Sequence, residues 1–206
     1  MKRLFLPVFS LLVLIFSFSY SYQLHGSTKG FPKKAPQIDN LITDEGKKFS
    51  LSSLKGKVVL ITYGYTQCPH VCPTITAFLK QVETQLDKKG LKGKYQIVFI
   101  TVDPKDDTVE RLKKYKKSRG FNRWIFLTGS KEALKKVWED YDVYVKDKGI
   151  MEMKHDGMVM KHRMIDHSAK LTVIDKNGNI VEEFKSMYLP VDDIVKDVEY
   201  LVKEGK

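Results

Sequence analysis

A turn that carries two cysteines joins a buried strand to a helix, and this succession constrains the fold more than any other feature. Residues 58–63 form an apolar, β-branched run that predicts a buried strand, and residues 73–88 predict a helix with proline in its first turn. Cys68 and Cys72, the only cysteines among 206 residues, lie between them. We expect the positive N-terminus of the helix to lower the pKa of both thiols. Thiols four positions apart can bind a soft metal or form a disulfide, and this spacing favours the metal. The alternative is that both cysteines are small buried hydrophobic residues.

The rest of the chain alternates strand and helix patterns early and ends in a hairpin and a helix. An opening hairpin is predicted from residues 37–40 and 48–51, and a second buried strand from 95–102. Helices are predicted at 108–117 and 130–141, capped by Thr108 and Ser130, and from Pro190 to about residue 203. Asn177-Gly178 predicts a hairpin between 170–174 and 180–184. This order predicts an α/β thioredoxin-like sandwich with an N-terminal hairpin and an inserted β-hairpin.

The N-terminus has the pattern of an export segment. Lys2 and Arg3 precede an uncharged, largely apolar run over residues 4–20, which predicts a signal peptide or an N-terminal membrane anchor over 1–20. Residues 21–36 predict a linker and 37–206 one domain. We therefore expect a domain outside the cytoplasmic membrane, in the periplasm or on its extracytoplasmic face. The net charge of +11 comes from scattered lysines, which predicts a solvated surface and no nucleic-acid binding.

His167 is the best candidate for a third donor beside the cysteines. It precedes the strand predicted at 170–174, and in a thioredoxin-like sheet the loop before that strand faces the cysteine turn. Thioredoxins hold a cis-proline there, whereas this chain has no proline in residues 105–189. Asp166 either orients the imidazole by a hydrogen bond or is a plain surface residue. The alternative is that His167 is a lone histidine satisfied by hydrogen bonds.

Three separated motifs resemble the SCO/SenC family of copper-binding proteins, which help to assemble cytochrome c oxidase. They are residues 64–73 (GYTQCPHVCP), residues 102–104 (VDP) followed by Asp107-Thr108, and residues 166–168 (DHS). The resemblance runs from about residue 37 to the C-terminus and implies that Cys68, Cys72 and His167 are the copper ligands. Thiolates select Cu(I) and imidazole suits Cu(I) or Cu(II), whereas zinc favours four closed ligands. The family usually has an acidic residue where this chain has His70, which we do not expect to be an obligate ligand.

A second group of soft donors lies in residues 151–164, which contain five of the seven methionines. Asp156-Gly157 predicts a two-residue hairpin turn that pairs His155 with Met158, Met153 with Met160, and Met151 with His162. These six residues would share one face of the hairpin. That face is either an apolar surface packed on the domain, the interpretation that we favour, or a low-affinity Cu(I) site beside His167.

The resemblance implies a copper chaperone rather than an enzyme. Its partner would be the copper-bearing subunit of cytochrome c oxidase, to whose dinuclear copper centre it would deliver copper. A copper donor protein or a thiol reductase would act upstream, and the N-terminal segment would hold the protein at the membrane. The alternative is a thiol-disulfide reductase that uses Cys68 and Cys72 on the cysteines of the oxidase subunit, a reaction that does not need His167. A peroxidase or a purely structural domain fits the motifs less well.

Overall fold

A computed structural model describes residues 22–69, 71–155 and 158–204, with the backbone alone over 153–162 and at 204. The predicted signal peptide or anchor over 1–20 therefore lies outside the described residues, as does His70. Among the residues described, no helix combines the length and apolar character needed to cross a membrane.

The described residues form nine strands and four helices. The strands are β1 Lys33–Lys34, β2 Ile42–Thr43, β3 Val58–Gly64, β4 Tyr95–Thr101, β5 Ile125–Thr128, β6 Val145–His155, β7 Met158–His167, β8 Leu171–Ile174 and β9 Asn179–Phe184. The helices are α1 Val71–Lys88, α2 Val109–Arg119, α3 Lys131–Asp140 and α4 Val191–Glu204. This confirms the predicted α/β sandwich with an inserted β-hairpin, which is formed by β6 and β7.

The main sheet has the order β1-β9-β8-β3-β4-β5-β2, with β3, β4 and β5 parallel and β8 antiparallel to β3. Side chains alternate along each strand, so β3 supplies both faces of the sheet. Val58 and Leu60 pack with α1, α2 and α4, while Val59 and Ile61 pack with α3 on the other face. All seven residues of β3 are buried, as expected for a strand covered by helices on both sides.

The caps and the C-terminal hairpin agree with the predictions. The Thr108 side chain accepts a hydrogen bond from Arg111 N, and Ser130 accepts one from Ala133 N. Strands β8 and β9 pair antiparallel around Gly178, whose φ of +81° suits a tight turn.

The opening hairpin is present around the turn at residues 44–46, but it is shorter than predicted and shifted along the chain. Residues 37–40 are not a strand; instead β2 pairs antiparallel with β5, and only a bridge between Ile42 and Lys48 remains of the predicted pairing. The sequence prediction also missed β5, because its four residues, three of them apolar, are too short a run to identify a strand.

The segment expected to be a linker differs from that expectation over its described part. Lys33–Lys34 adds to the sheet beside β9, and Ser27 bridges Glu183. Tyr22 stacks on Tyr200 of α4 at 4.2 Å between ring centroids. Residues 22–36 therefore pack against the domain. Local patterns could not predict these contacts, because the partners lie far away in the sequence.

Candidate metal centre

The sheet topology brings the cysteine turn and His167 to the same edge. Strand β3 ends at Gly64, the following loop carries Cys68, and Cys72 lies in the first turn of α1. His167 ends β7, four residues before Leu171, which pairs with Thr62 of β3. Since β8 runs antiparallel to β3, the residues before β8 lie beside the residues that follow β3.

Three donor side chains converge at this edge. One ligand atom from each of Cys68, Cys72 and His167 lies within 4.8 Å of the others. The Sγ atom of Cys72 is 3.6 Å from Nε2 of His167, and the Cys72 backbone N donates to Sγ of Cys68 at 3.3 Å. Cys72 is buried and Cys68 half-buried, and no disulfide joins them. These are the three residues that the sequence analysis singled out as candidate donors.

The imidazole of His167 is held in one orientation. Its Nδ1 lies 3.1 Å from the carbonyl oxygen of Ser168, which can only accept, so Nδ1 carries the proton. This leaves the lone pair of Nε2 directed at the sulfurs. The ring of Tyr65 lies edge-on to the imidazole, with 5.9 Å between the ring centroids. Asp166 is exposed, and the partner of Nδ1 is the Ser168 carbonyl rather than the Asp166 carboxylate.

The pKa of Cys72 differs from the sequence expectation. We expected the helix N-terminus to lower it, but the hydrogen bond with Cys68 and then burial raise the pKa of the Cys72 thiol well above its usual value. Burial likewise raises the pKa of Tyr65 to about 12, and its hydroxyl oxygen accepts from Ile165 N at 3.3 Å. The Cys72 proton must therefore leave when a cation takes its place.

Gly64 makes room for the buried sulfur. A Cβ at this position would lie 2.8 Å from Sγ of Cys72 and 3.0 Å from the ring of Phe99. No side chain fits at that distance without moving its neighbours, so Gly64 allows the close approach of the cysteine to β3. The Sγ atom of Cys72 is therefore held at a defined position against β3.

Asp107 anchors the loop before the cysteines, a role that the sequence prediction missed. Its fully buried carboxylate accepts from Thr66 Oγ1 at 2.6 Å, from Thr66 N at 3.1 Å and from Thr101 Oγ1 at 2.6 Å. Burial raises the pKa of Asp107 to about 6, against the effect of those hydrogen bonds. The sequence did contain a signal for this role. Asp107 follows shortly after β4, and functional residues of parallel sheets gather just beyond the carboxyl ends of the strands.

The inserted hairpin has the predicted register. His155 pairs with Met158, Met153 with Met160, and Met151 with His162. The turn at Asp156-Gly157 and the side chains over 153–162 lie outside the described residues. Met151 and Met164, whose side chains are described, line a cavity of about 440 Å³ together with Cys68 and His167.

The fold and the donors define the class of protein. It is a thioredoxin-like α/β domain with two thiols and an imidazole gathered at one sheet edge, a donor set suited to a soft metal ion. The SCO1/SenC family model matches residues 35–203, and the chain belongs to this family.

Relatives from several organisms agree with this membership. A SCO2-like protein of Rickettsia typhi is 34% identical over 153 residues, which cover 73% of this chain and 70% of the relative. The mitochondrial SCO2 homolog of Danio rerio is 31% identical over 149 residues, 72% of this chain but only 50% of the relative. The chain thus spans about half the length of that relative.

Solved structures show the same fold. Bradyrhizobium japonicum ScoI with copper bound is 30% identical with a TM-score of 0.67, covering 82% of this chain and 99% of the other. Yeast Sco1 with copper bound is 26% identical with a TM-score of 0.66, covering 84% of this chain and 93% of the other.

Proposed function

We propose that this protein binds copper through Cys68, Cys72 and His167 and delivers it to the dinuclear copper centre of cytochrome c oxidase. The observation that carries the proposal is the convergence of these three donors within 4.8 Å. Two copper-bound Sco structures share the fold, and the Sco family is one of cytochrome c oxidase assembly proteins.

The donor chemistry fits copper. Two thiolates and one imidazole form a soft site that selects Cu(I), and the imidazole also suits Cu(II). Because the pKa of Cys72 is raised, binding releases a proton from that thiol, so copper affinity should fall as the pH is lowered.

Delivery requires ligand exchange at an accessible donor. Cys68 is half-buried whereas Cys72 is 1% exposed, so an incoming thiolate of the acceptor reaches copper most easily from the Cys68 side. Copper keeps its oxidation state in this exchange, and no electron donor is needed. Cys72 and His167 hold the ion until the acceptor supplies further donors.

The test is copper binding by the reduced full-length protein and by Cys68→Ala, Cys72→Ala and His167→Ala variants. Each should lose most of its affinity, because two of the three donors hold copper less tightly than all three. His25→Ala is the matched control, because the His25 ring contacts Asp197 and not the cysteine loop. Undiminished copper affinity in His167→Ala would refute the ligand assignment.

The location of the domain follows from its proposed task. We place it outside the cytoplasmic membrane, held there by residues 1–20. A SCO1/SenC family lipoprotein of Bacillus anthracis, 26% identical, shares the fold. The net charge of +11 favours approach to acidic partner surfaces or anionic headgroups.

A thiol-disulfide reductase is the second candidate, favoured by the unequal exposure of the two thiols. Cys68 as the thiolate would attack a disulfide of the oxidase subunit and form a mixed disulfide, releasing one thiolate. Cys72 would then attack Cys68, releasing the second thiolate, so that the substrate is reduced and this pair oxidised. A separate thiol reductase must restore the pair. His167→Ala separates the two functions, because it should abolish copper binding and leave the rate of thiol exchange nearly unchanged.

A further inference from the structure

The inserted hairpin carries a continuous row of soft donors on one face. Strands β6 and β7 pair only with each other within the described residues, as a separate two-stranded sheet. Residues directly opposite one another across the strands, and residues two apart along a strand, belong to the same face. By this register every residue from 151 to 162 on one face is a methionine or a histidine, namely Met151, Met153, His155, Met158, Met160 and His162. We call these six residues the Met/His face.

The inner end of the Met/His face adjoins the cysteine site. Met164, opposite Gly149, continues the same row of β7 by one position. Met151 and Met164 line the 440 Å³ cavity that Cys68 and His167 also line. Thioethers are therefore present in the same cavity as the proposed copper donors.

From the sequence we interpreted this face as a surface packed on the domain, but Met151 is not packed in this way. Met151 is 49% exposed. A face needed only for packing is served by leucine or valine, whereas thioether and imidazole groups are ligands of Cu(I). The opposite face instead carries charged residues such as Glu152, Lys154 and Lys161. The Met/His face has no carboxylate, which excludes it as a site for a hard cation.

We propose that the Met/His face binds Cu(I) weakly and passes it along the hairpin to Cys68, Cys72 and His167. This inference rests on the proposed function. Same-face neighbours along a strand are about 7 Å apart, so an ion can move between successive donor pairs by exchanging ligands. Each exchange replaces one neutral donor by another, and Cu(I) stays Cu(I). In the last step thiolates replace thioethers, the thiol protons pass to solvent, and the anionic site holds the ion more tightly.

The first experiment isolates the face from the cysteine site. The full-length Cys68→Ser/Cys72→Ser/His167→Ala variant is labelled with ¹³C at the methionine methyl groups and titrated with Ag(I), a redox-inert substitute for Cu(I). We expect the methyl signals of residues 151–164 to shift, while that of Met187, which packs against the core, stays in place. Shifts confined to other methionines, or absent, would overturn the proposal.

The second experiment measures loading of the intact cysteine site. In the full-length Met151→Leu/Met153→Leu/Met158→Leu/Met160→Leu variant, limiting Cu(I) supplied as its acetonitrile complex should load roughly tenfold more slowly, because the local store of copper is lost. The final copper content of the cysteine site should equal that of wild type. Met187→Leu is the matched control and should load at the wild-type rate.

The outcomes separate the two proposals. Equal loading rates in the quadruple variant and in Met187→Leu would overturn the relay while leaving the copper site in place. A wild-type protein without tight copper binding would overturn the proposed function, even where the silver titration shows a hairpin site. If the quadruple variant fails to fold, the silver titration decides, since it keeps all hairpin methionines.

Discussion

Replacing Glu182 by glutamine should remove much of the pH dependence of the stability of this protein. Glu182 on β9 is fully buried, and its Oε2 accepts from Gly26 N at 2.8 Å. Burial and then the charge of Asp197 raise the pKa of Glu182 from 4.5 to about 8. The carboxyl group is therefore neutral in the folded protein at a pH where it is ionised in the unfolded chain.

The sign follows from linkage. A carboxyl group with a raised folded-state pKa contributes stability that is fully present below the unfolded value of 4.5 and is lost as the pH rises through about 8. At roughly 1.4 kcal/mol for each tenfold change in proton affinity, the full effect is about 5 kcal/mol. Because Glu182 shares its environment with Asp197, we expect about 2–5 kcal/mol to be measurable.

A glutamine at position 182 has nearly the shape of the glutamate side chain and is neutral at both low and high pH. Its carbonyl oxygen can accept from Gly26 N and its amide can donate to Asp197. Glu182→Gln should therefore be about 2–5 kcal/mol more stable than wild type near pH 9 and within about 1 kcal/mol of it near pH 5. Urea unfolding at both pH values measures this, with the exposed Glu132→Gln as the control. A stability difference from wild type that is the same at both pH values would refute the reasoning.

Three further predictions concern the cysteine edge. Gly64→Ala should destabilise the fold by about 1–3 kcal/mol and weaken copper binding, because its methyl group would lie 2.8 Å from Sγ of Cys72; chelator competition showing wild-type affinity would contradict this. Asp107→Ala should cost about 2–4 kcal/mol in denaturant unfolding, since the half-buried donors on Thr66 and the buried hydroxyl of Thr101 lose their acceptor, and a loss below 1 kcal/mol would argue against the anchor. Oxidation of Cys68 and Cys72 to a disulfide should abolish tight copper binding, as a disulfide has no anionic sulfur; equal copper content in oxidised and reduced protein would exclude thiolate ligation.

The sequence alone determined the features that depend on local patterns. The run of apolar residues in β3, the caps Thr108 and Ser130, and the turn dipeptide Asn177-Gly178 each specify their element through neighbouring residues. The register of β6 against β7 was predictable for the same reason, since a two-residue turn fixes which residues face each other. His167 could be placed beside the cysteines because the fold class dictates which loop faces the end of β3.

Only the tertiary structure decided what depends on partners distant in the sequence. Strand β2 pairs with β5 across more than eighty residues, and residues 22–36 dock on β9 and α4; no local pattern specifies either pairing. Burial also depends on the whole fold. It raises the pKa of Glu182. The hydrogen bond with Cys68 and then burial raise the pKa of Cys72, where the helix N-terminus alone predicted the opposite direction. The pKa shift caused by burial depends on all the groups that pack around the titrating side chain, and that environment exists only once the chain has folded.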